Sequence, residues 1–549
     1  MNSGKVKMFD HSKGFGFVKA DNGQDIFFHI SDIDEQNVEK LNIGADLYFE
    51  IISSPKGLQA KNINFPKLDS SLSDESKQIA LENIKGWKLE AKLDSSNRYF
   101  YYSKEVSEIM SGDKSFVIGR KGSGKTAISE YICSRENDNT YTQKLTFKNV
   151  PFNYLYSLDN QDYTLPNQYI SIWKYLIYCS ICKMMIKNED VDVSIRKSLS
   201  KLFNIKPVKD RLEENIKKWT TRDFSLQVLG TGGKIGLQEK KEQHWLERLS
   251  ILEDIVIDYA DDSDYIVVFD ELDEDYKDVV NKGQDQNYIS LLTSLFKAVQ
   301  DIKYIFQGTN KKIKPVIFLR DDIYDLIDDP DKNKWNDFRI DIDWNRDKIK
   351  KLLAFRISKC FSSELELNFG QAWNSIFSAQ KIRVGSQQRK QIDSFDFITR
   401  STHLRPRDYV HYLQELANEA LENDDNIIHP QYIKKVDKAF SNYLKNELED
   451  EIHGILPDIA EIFGIISEIR KQVFTIDEFK SIYMEYYRSG RVTRNDPDTV
   501  LRLLFHFSVI GNQPRPEVDF FRYKNKEARL NFRENIVVHR GLFKALQIL

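Results

Sequence analysis

Cysteine is nearly absent: Cys133, Cys179, Cys182 and Cys360 are the only four in 549 residues. That excludes a disulfide-stapled secreted scaffold. Cys179 and Cys182 form one C-x-x-C, but no second pair and no histidine pair accompanies it. Its setting is apolar, so core thiols are the leading reading and metal or redox use the minor one. A reduced, cytoplasmic compartment fits. The nine histidines are scattered, none beside cysteines or acids at metal spacing. No nuclease, protease or deaminase constellation is legible. Long apolar runs are missing too. The most apolar stretch, "SIWKYLIYCSICKMMI" from Ser171, is broken by Lys174 and Lys183 and is too short and polar to span a bilayer. The N-terminus has no basic-then-apolar pattern, so no signal peptide is expected. Nor is there excess positive charge: the net is −4, and segment 1–66 holds seven lysines against nine acids. A nucleic-acid role must therefore rest on local geometry and stacking. What remains, 41% hydrophobic and 30% charged residues, suffices for several packed domains.

The first informative stretch is "KGFGFV" (Lys13–Val18), followed by "DIFFHISDI" (Asp25–Ile33). Side chains alternate across a strand. Phe15 and Phe17 therefore share a face, as do Phe27 and His29, while Ile26, Phe28 and Ile30 take the other. Two adjacent strands would show Phe15, Phe17, Phe27 and His29 as one aromatic surface. A small barrel core also wants phenylalanines and accounts for Val18, Ile26 and Phe28. It accounts poorly for glycines opposite Phe15 and Phe17, since glycine packs nothing. A platform for stacking unpaired bases is the functional reading.

On these motifs residues 4–65 resemble a cold-shock domain, a five-stranded oligonucleotide-binding (OB) barrel. "GKVKMF", "KGFGFV", "DIFFHISDI", "GADLYFEI" and "KGLQAKNINF" match its five strands in order. The resemblance implies single-stranded RNA or DNA as partner, held by Lys7, Lys13, Phe15, Phe17, Phe27 and His29. The chain departs from the family at Met8, where a tryptophan is usual, and at Ile30, where a phenylalanine is. No loop aromatic is matched before the fourth strand. A smaller platform, with weaker or narrower binding, is expected.

After Phe65-Pro66, "KLDSSLSDESKQ" reads as a linker. Then "KSFVIGRKGSGKTAISEYI" runs from a short apolar strand through a Gly-rich turn into a helix. Gly119-x-x-x-x-Gly124-Lys125-Thr126 fits the Walker A pattern fully. The glycines, with Gly122 among them, let backbone N–H groups ring a phosphate at the positive end of the helix. Lys125 is expected to reach the β- and γ-phosphates, and Thr126 to hold Mg²⁺. "DYIVVFDELDEDY" places a buried parallel-sheet strand ending in Asp270-Glu271. Asp270 is expected to hold the metal's water shell and Glu271 to orient the attacking water. Asp273, Glu274 and Asp275 read as a solvated acidic turn. In "KPVIFLRDDIYDLI", Arg320 lies just past a third strand end, where ligand-contacting groups gather. It either senses the γ-phosphate, reaches a neighbouring subunit, or pairs with Asp321 or Asp322. Pro406 opens a helix with Arg405 and Arg407 at its start, where a cation opposes the dipole. Closing a lid on phosphates and a plain ion pair are the rival reasons. "TNKKI" (Thr309–Ile313) lacks the aspartate of a guanine-reading motif, which favours ATP.

Together these pieces resemble the AAA+/STAND branch of P-loop ATPases. They are most similar to a bacterial group pairing "GRKGSGKTAI" with "FLRDDIY" and a terminal "VHRGLFKAL", many of whose members lie among phage-defence genes. The resemblance implies ATP-responsive roles for Arg320 and Arg407, a homo-oligomer, and a separate effector protein if the protein arrests cells. "FSLQVLGTGGKIGLQEK" (Phe224–Lys240) reads as an inserted hairpin and roughly Lys241–Asp258 as a helix. "FTIDEFKSIY" offers a capping box, Thr475 with Glu478. Arg522–Leu549, with seven Lys/Arg against two acids, reads as a two-stranded wing and a last helix. It either binds DNA or packs on the ATPase as a regulatory lid.

The expected architecture is multidomain. Residues 1–66 form an all-β OB barrel, 67–94 a linker and lead-in helix, and 95–345 an α/β P-loop ATPase core with a parallel sheet. Residues 346–450 form a helical lid and 451–549 a mainly α domain with a winged-helix-like end. The expected function is a nucleic-acid-responsive ATPase switch in anti-phage defence or stress. An RNA or DNA remodelling motor is the rival, although Ser-Ala-Thr and second-domain arginine motifs are missing. A nucleic-acid-binding scaffold is the other, although Lys125, Thr126, Asp270 and Glu271 are intact.

Overall fold

The computed structural model describes residues 2–10, 14–20, 23–33, 46–54, 57–64, 73–93, 98–135, 139–146, 169–203, 245–273, 285–385 and 389–548. Lys13, Glu274, Asp275, the hairpin read at 224–240 and the first part of the linker lie outside the described residues. The linker's second part, from Ser73, is not loop: the Ser73 hydroxyl accepts from Ser76 N–H and caps a helix, Asp74–Lys85.

Strands β1 (Asn2–Asp10), β2 (Phe15–Ala20), β3 (Asp25–His29), β4 (Asp46–Ser54) and β5 (Gly57–Asn64) close a barrel in the order β1-β2-β3-β5-β4. Val18, Ile26, Phe28 and Phe49 fill it and are fully buried. The glycine opposite the phenylalanines has a packing reason the alternation alone does not show. A Cβ on Gly16 would lie 2.6 Å from Phe28 Cζ, so the bare position admits a core ring.

The second unit is a parallel sheet, β10-β6-β9-β8-β7. Its strands are β6 (Phe116–Gly119), β7 (Thr140–Thr146), β8 (Asp264–Asp270), β9 (Lys312–Arg320) and β10 (Arg339–Asp341). β8 and β9 are apolar on both faces, as a helix-covered parallel sheet requires. One covering helix, Ile170–Lys187, buries Cys179 and Cys182 completely. Burial pushes both thiols up, so they are core residues. The helix leading into β8 spans Trp245–Tyr259.

Helices Arg346–Phe361, Phe369–Ile376, Ser394–Thr399, Pro406–Glu422 and Pro430–Ile452 follow, with a small hairpin of β11 (Ile382–Val384) and β12 (Lys390–Ile392). Helix Asp74–Lys85 packs on Arg346–Phe361 and Pro406–Glu422 through Ala80, Leu81 and Ile84. The last part carries helices Ile459–Ile469, Ile476–Arg488 and Pro497–His506. Its antiparallel sheet, β13-β16-β14-β15, is built from β13 (Val473–Phe474), β14 (Ile510–Arg515), β15 (Val518–Phe520) and β16 (Asn535–Val538). The capping box at Thr475 and Glu478 is present. The hairpin is β14–β15, earlier than the basic stretch suggested, and the expected last helix is a 3-10 turn, Arg540–Leu542. Among the described residues no helix is long and apolar enough to cross a membrane.

Candidate nucleotide site and nucleic-acid face

The strand-to-helix turn after β6 places the glycines, Lys125 and Thr126 at one end of the parallel sheet. Gly122 and Gly124 have φ of 78° and 97°, values that side chains with a Cβ rarely adopt. Gly124 precedes helix Lys125–Cys133 with no side-chain cap, so the first N–H groups point into the loop without a protein cap. Ser123 Oγ is buried without a partner. Free donors around a glycine turn suit a phosphate. Lys125 Nζ meanwhile donates to the loop's own carbonyls, Gly119 O at 2.8 Å and Arg120 O at 3.0 Å. Burial pulls its pKa down, against the raising effect of Asp273 and Asp321.

A cavity of about 490 Å³ opens beside this turn, a size suited to a small ligand. Its walls include Tyr99–Tyr102, Thr126, Trp344, Lys348 and Arg407. The aromatic wall is braced by Phe100, stacked on Tyr131 at 4.1 Å. Trp344 Nε1 donates to Ser123 O at 2.8 Å, fixing the turn to the lid side. A wall of rings above a phosphate cradle fits a nucleoside triphosphate.

Asp270 ends β8 beneath helix Lys125–Cys133. It accepts from Ser129 Oγ at 2.6 Å, from Lys144 Nζ at 2.9 Å and from Glu271 N–H at 2.9 Å. Glu271 has φ of 57°, an uncommon conformation for a residue with a Cβ and one found at functional sites. Its Oε1 pairs with Lys92 Nζ, and its Oε2 is buried without a partner. Among the described residues no cluster of three or more His, Cys, Asp or Glu could cage a metal. A Mg²⁺ bound through substrate phosphates needs only one or two carboxylates. The Thr126 hydroxyl, Asp270 and the unpartnered Glu271 oxygen fit that need.

The two sensor candidates separate. Arg320 makes a two-point contact with Asp322, at 2.9 and 2.6 Å, and reaches Asp273 at 3.4 Å. The ion pair with Asp322 was one of the alternatives left open for it. Arg407 lines the cavity, and a Cβ on Gly122 would lie 3.4 Å from its own Cβ. Its ion pair with Glu447 is loose, at 3.4 Å. Arg405 is instead fully buried and tied to Asp408 and Glu451, a structural role. Sequence reasoning missed Lys92, Lys144, Ser129 and the Tyr99–Tyr102 wall. The alternation in "TYTQKLT" was the available signal for β7, and hence for Lys144.

The terminal motif packs against the same turn. His539 contacts His403 at 4.4 Å between ring centres, and His403 Nδ1 lies 3.3 Å from Arg120 of that turn. Arg540 pairs with Asp437, Arg522 with Asp325 and Lys526 with Asp343. Three of the basic residues at this end are thus paired with acids of the parallel-sheet unit and of the helices that follow it. Burial, with Lys524 and Arg120 nearby, pushes His539 down to about 3. Burial and His539 push His403 down as well. An unfolded histidine titrates near 6.5. The folded state therefore resists protonation, and this contribution to stability is complete above about pH 6.5 and lost as pH falls toward 3. Urea midpoints are expected to fall between pH 6.5 and 4, and to fall less steeply in His539→Gln. Equal slopes for the two proteins would refute this account.

On the barrel, β2 and β3 pair Phe15 with His29 and Phe17 with Phe27. Phe15 stacks on Phe27 at 5.9 Å, and Phe17 meets Phe27 edge-on at 5.8 Å. All four side chains are half-buried on one face. Met8 pairs with Phe17 and is 39% exposed, so it extends the face where the family carries tryptophan. His29 Nδ1 accepts from Ser31 N–H at 3.2 Å, which leaves Nε2 to carry the proton. Lys7 is exposed and pairs with Asp25.

A family model described as 'Cold-shock' DNA-binding domain matches residues 2–66. One described as FunZ-associated C-terminal helical domain matches residues 347–449. Cold shock protein CspD of Bacillus subtilis (strain 168) is 40% identical over 63 residues, 12% of this chain and 96% of that protein. Cold shock-like protein CspA of Shewanella violacea is 44% identical over 63 residues, 11% of this chain and 90% of that protein. Among solved structures, the ORC2 protein of Aeropyrum pernix aligns over 82% of this chain and 96% of its own, at 10% identity and a TM-score of 0.37. Cdc6p of Pyrobaculum aerophilum aligns over 82% and 96%, at 12% identity and a TM-score of 0.29. At scores this low the likeness to either structure says nothing about the chemistry of this chain.

Proposed function

Because the chain belongs, through residues 2–66, to the cold-shock domain family, we propose that it is a nucleic-acid-responsive ATPase switch. The barrel binds single-stranded RNA or DNA on Phe15, Phe17, Phe27 and His29. The P-loop core binds ATP on Gly119–Thr126 and hydrolyses it with Glu271 orienting water. Mg²⁺, held by Thr126 and Asp270, would neutralise phosphate charge there. Arg407 closes the lid side on the phosphates. Arg320 joins it once nucleotide draws its guanidinium from Asp322. A homo-oligomeric active state, a separate effector and a setting in bacterial anti-phage defence or stress are drawn from the sequence resemblance.

One observation carries the switch over a plain ATPase: Lys92 pairs with Glu271. Lys92 lies on the 3-10 turn Ala91–Leu93, in the stretch of chain between barrel and core. A carboxylate bound to an ammonium is a poor base, because the pair must break before it can orient water. Whatever moves residues 91–93 releases Glu271. Two ligands that favour the same released state favour each other's binding.

The test is ATP hydrolysis by the full chain, with and without single-stranded RNA, single-stranded DNA and duplex DNA. One single-stranded nucleic acid is expected to raise turnover. Lys92→Ala is expected to raise turnover without nucleic acid by roughly fivefold or more, within the usual range of coupling energies, and to lose most of the further stimulation. Turnover unchanged by every nucleic acid, with Lys92→Ala like wild type, would refute the switch.

A further inference from the structure

The nucleotide site contains a cation that its sequence motifs do not require. Lys144 stands on β7, which pairs in parallel with β8 so that Lys144 lies opposite Val268 and Thr146 opposite Asp270. Its Nζ is 2.9 Å from Asp270 Oδ2, 2.8 Å from Ser129 Oγ and 2.8 Å from Glu130 Oε1. The Lys144 and Asp270 side chains are only 16% and 3% exposed. The edge strand of the sheet, paired with β8, therefore delivers this ammonium, and it makes three contacts at once. Asp270 has no idle oxygen: Oδ2 serves Ser129 and Lys144, and Oδ1 takes the Glu271 N–H.

Two consequences follow from charge alone. A divalent ion beside Asp270 would share that carboxylate with an ammonium already in place, and like charges at close range disfavour each other. Without the metal, Asp270 already shares an ammonium with Glu130, so it repels an incoming triphosphate less than a bare carboxylate would. The neighbouring acid is paired too, with Lys92. Lys125 and Arg407 then face the phosphate end of the cavity, Arg407 with Glu447 as a partner at 3.4 Å.

Resting on the ATP-site reading above, we propose that Lys144 is a resident cation of this site. It stands in for the metal at Asp270, lets nucleotide bind without Mg²⁺, and lowers the affinity of the site for Mg²⁺. Capture of nucleotide and hydrolysis then become separable steps, only the second of which requires metal. Lys144 is a positioning residue: it touches Asp270, not the substrate.

The experiment titrates the full chain with a fluorescent ATP analogue (mant-ATP), once in EDTA and once in saturating Mg²⁺. Wild type, Lys144→Met and Lys144→Arg are compared. Wild type is expected to bind in EDTA within about tenfold of its Mg²⁺ affinity. Lys144→Met is expected to lose about tenfold or more in EDTA and little in Mg²⁺, the scale of removing one partner of a buried charge pair. Its Mg²⁺ requirement for hydrolysis should fall, and Lys144→Arg should follow wild type. If Lys144→Met does not fold, Lys144→Gln, which keeps a donor but no charge, replaces it under the same criteria. The same EDTA-to-Mg²⁺ ratio in wild type and in the uncharged variant overturns the proposal. No binding by any protein in either condition overturns the ATP-site reading instead.

Discussion

Lys125→Ala is expected to abolish nucleotide binding while leaving the fold and the barrel intact. The side chain brings an ammonium to the centre of the glycine turn, where it now bonds two loop carbonyls, Gly119 O and Arg120 O, while the turn's other lysine, Lys121, pairs outward with Glu447. A triphosphate would replace those neutral acceptors with charged ones, which bind an ammonium more strongly. Removing one partner of a desolvated charge pair costs roughly 2–5 kcal/mol, a loss of affinity of about 30- to 4,000-fold. Hydrolysis should fall at least as far. Of the two carbonyls released by the substitution, Gly119 O belongs to a buried residue and Arg120 O to a half-buried one, so thermal stability should fall by about 1–3 kcal/mol for the acceptor that water cannot reach. Titration with nucleotide, with a thermal melt beside it, checks the expectation. Unchanged affinity would mean that the glycine turn is not the phosphate site.

The second large effect concerns the barrel. The Phe15/Phe17/Phe27→Ala triple variant is expected to lose single-strand binding by at least about 100-fold, since each base–aromatic stack is worth roughly 1–3 kcal/mol. The barrel should remain closed, because its interior is Val18, Ile26, Phe28 and Phe49, all untouched. Some stability will go with the two aromatic pairs around Phe27, about 0.5–1.5 kcal/mol each. Nucleotide affinity without nucleic acid should stay at the wild-type value, and the nucleic-acid-dependent rise in turnover should vanish. Binding of a labelled oligonucleotide by fluorescence anisotropy reads the first effect. If the triple variant binds as wild type does, the face of β2 and β3 is not the reader, and the basic C-terminal segment becomes the place to look.

These two sites were legible in the sequence for a physical reason: both are local. A phosphate turn needs its glycines, lysine and hydroxyl within eight residues, and the aromatic face needs only period-2 alternation on two neighbouring strands. The strand ending in Asp270-Glu271 was legible likewise, because an apolar run ending in acids is a one-dimensional signal. Charge counts, by contrast, decided less. The basic tail left two readings open, a surface for DNA or packing on the rest of the chain, and Arg522, Lys526 and Arg540 face Asp325, Asp343 and Asp437.

What only the tertiary structure decided is who neutralises whom. Lys92 and Glu271 are far apart in sequence, as are Lys144 and Asp270, and Arg320 had several acids within reach. An ion pair depends on where two backbones converge, and strand register sets that for Lys144 while sequence distance carries no trace of it. Gly16 makes the same point inside the barrel. The alternation showed that one face was bare, and only the packed structure showed that the Phe28 ring takes up the space. By itself the sequence determined which chemical groups the chain carries and which of them sit on continuous local elements. Packing decided which of those groups are restrained by a partner, because burial and opposite charge act between residues that folding alone brings together.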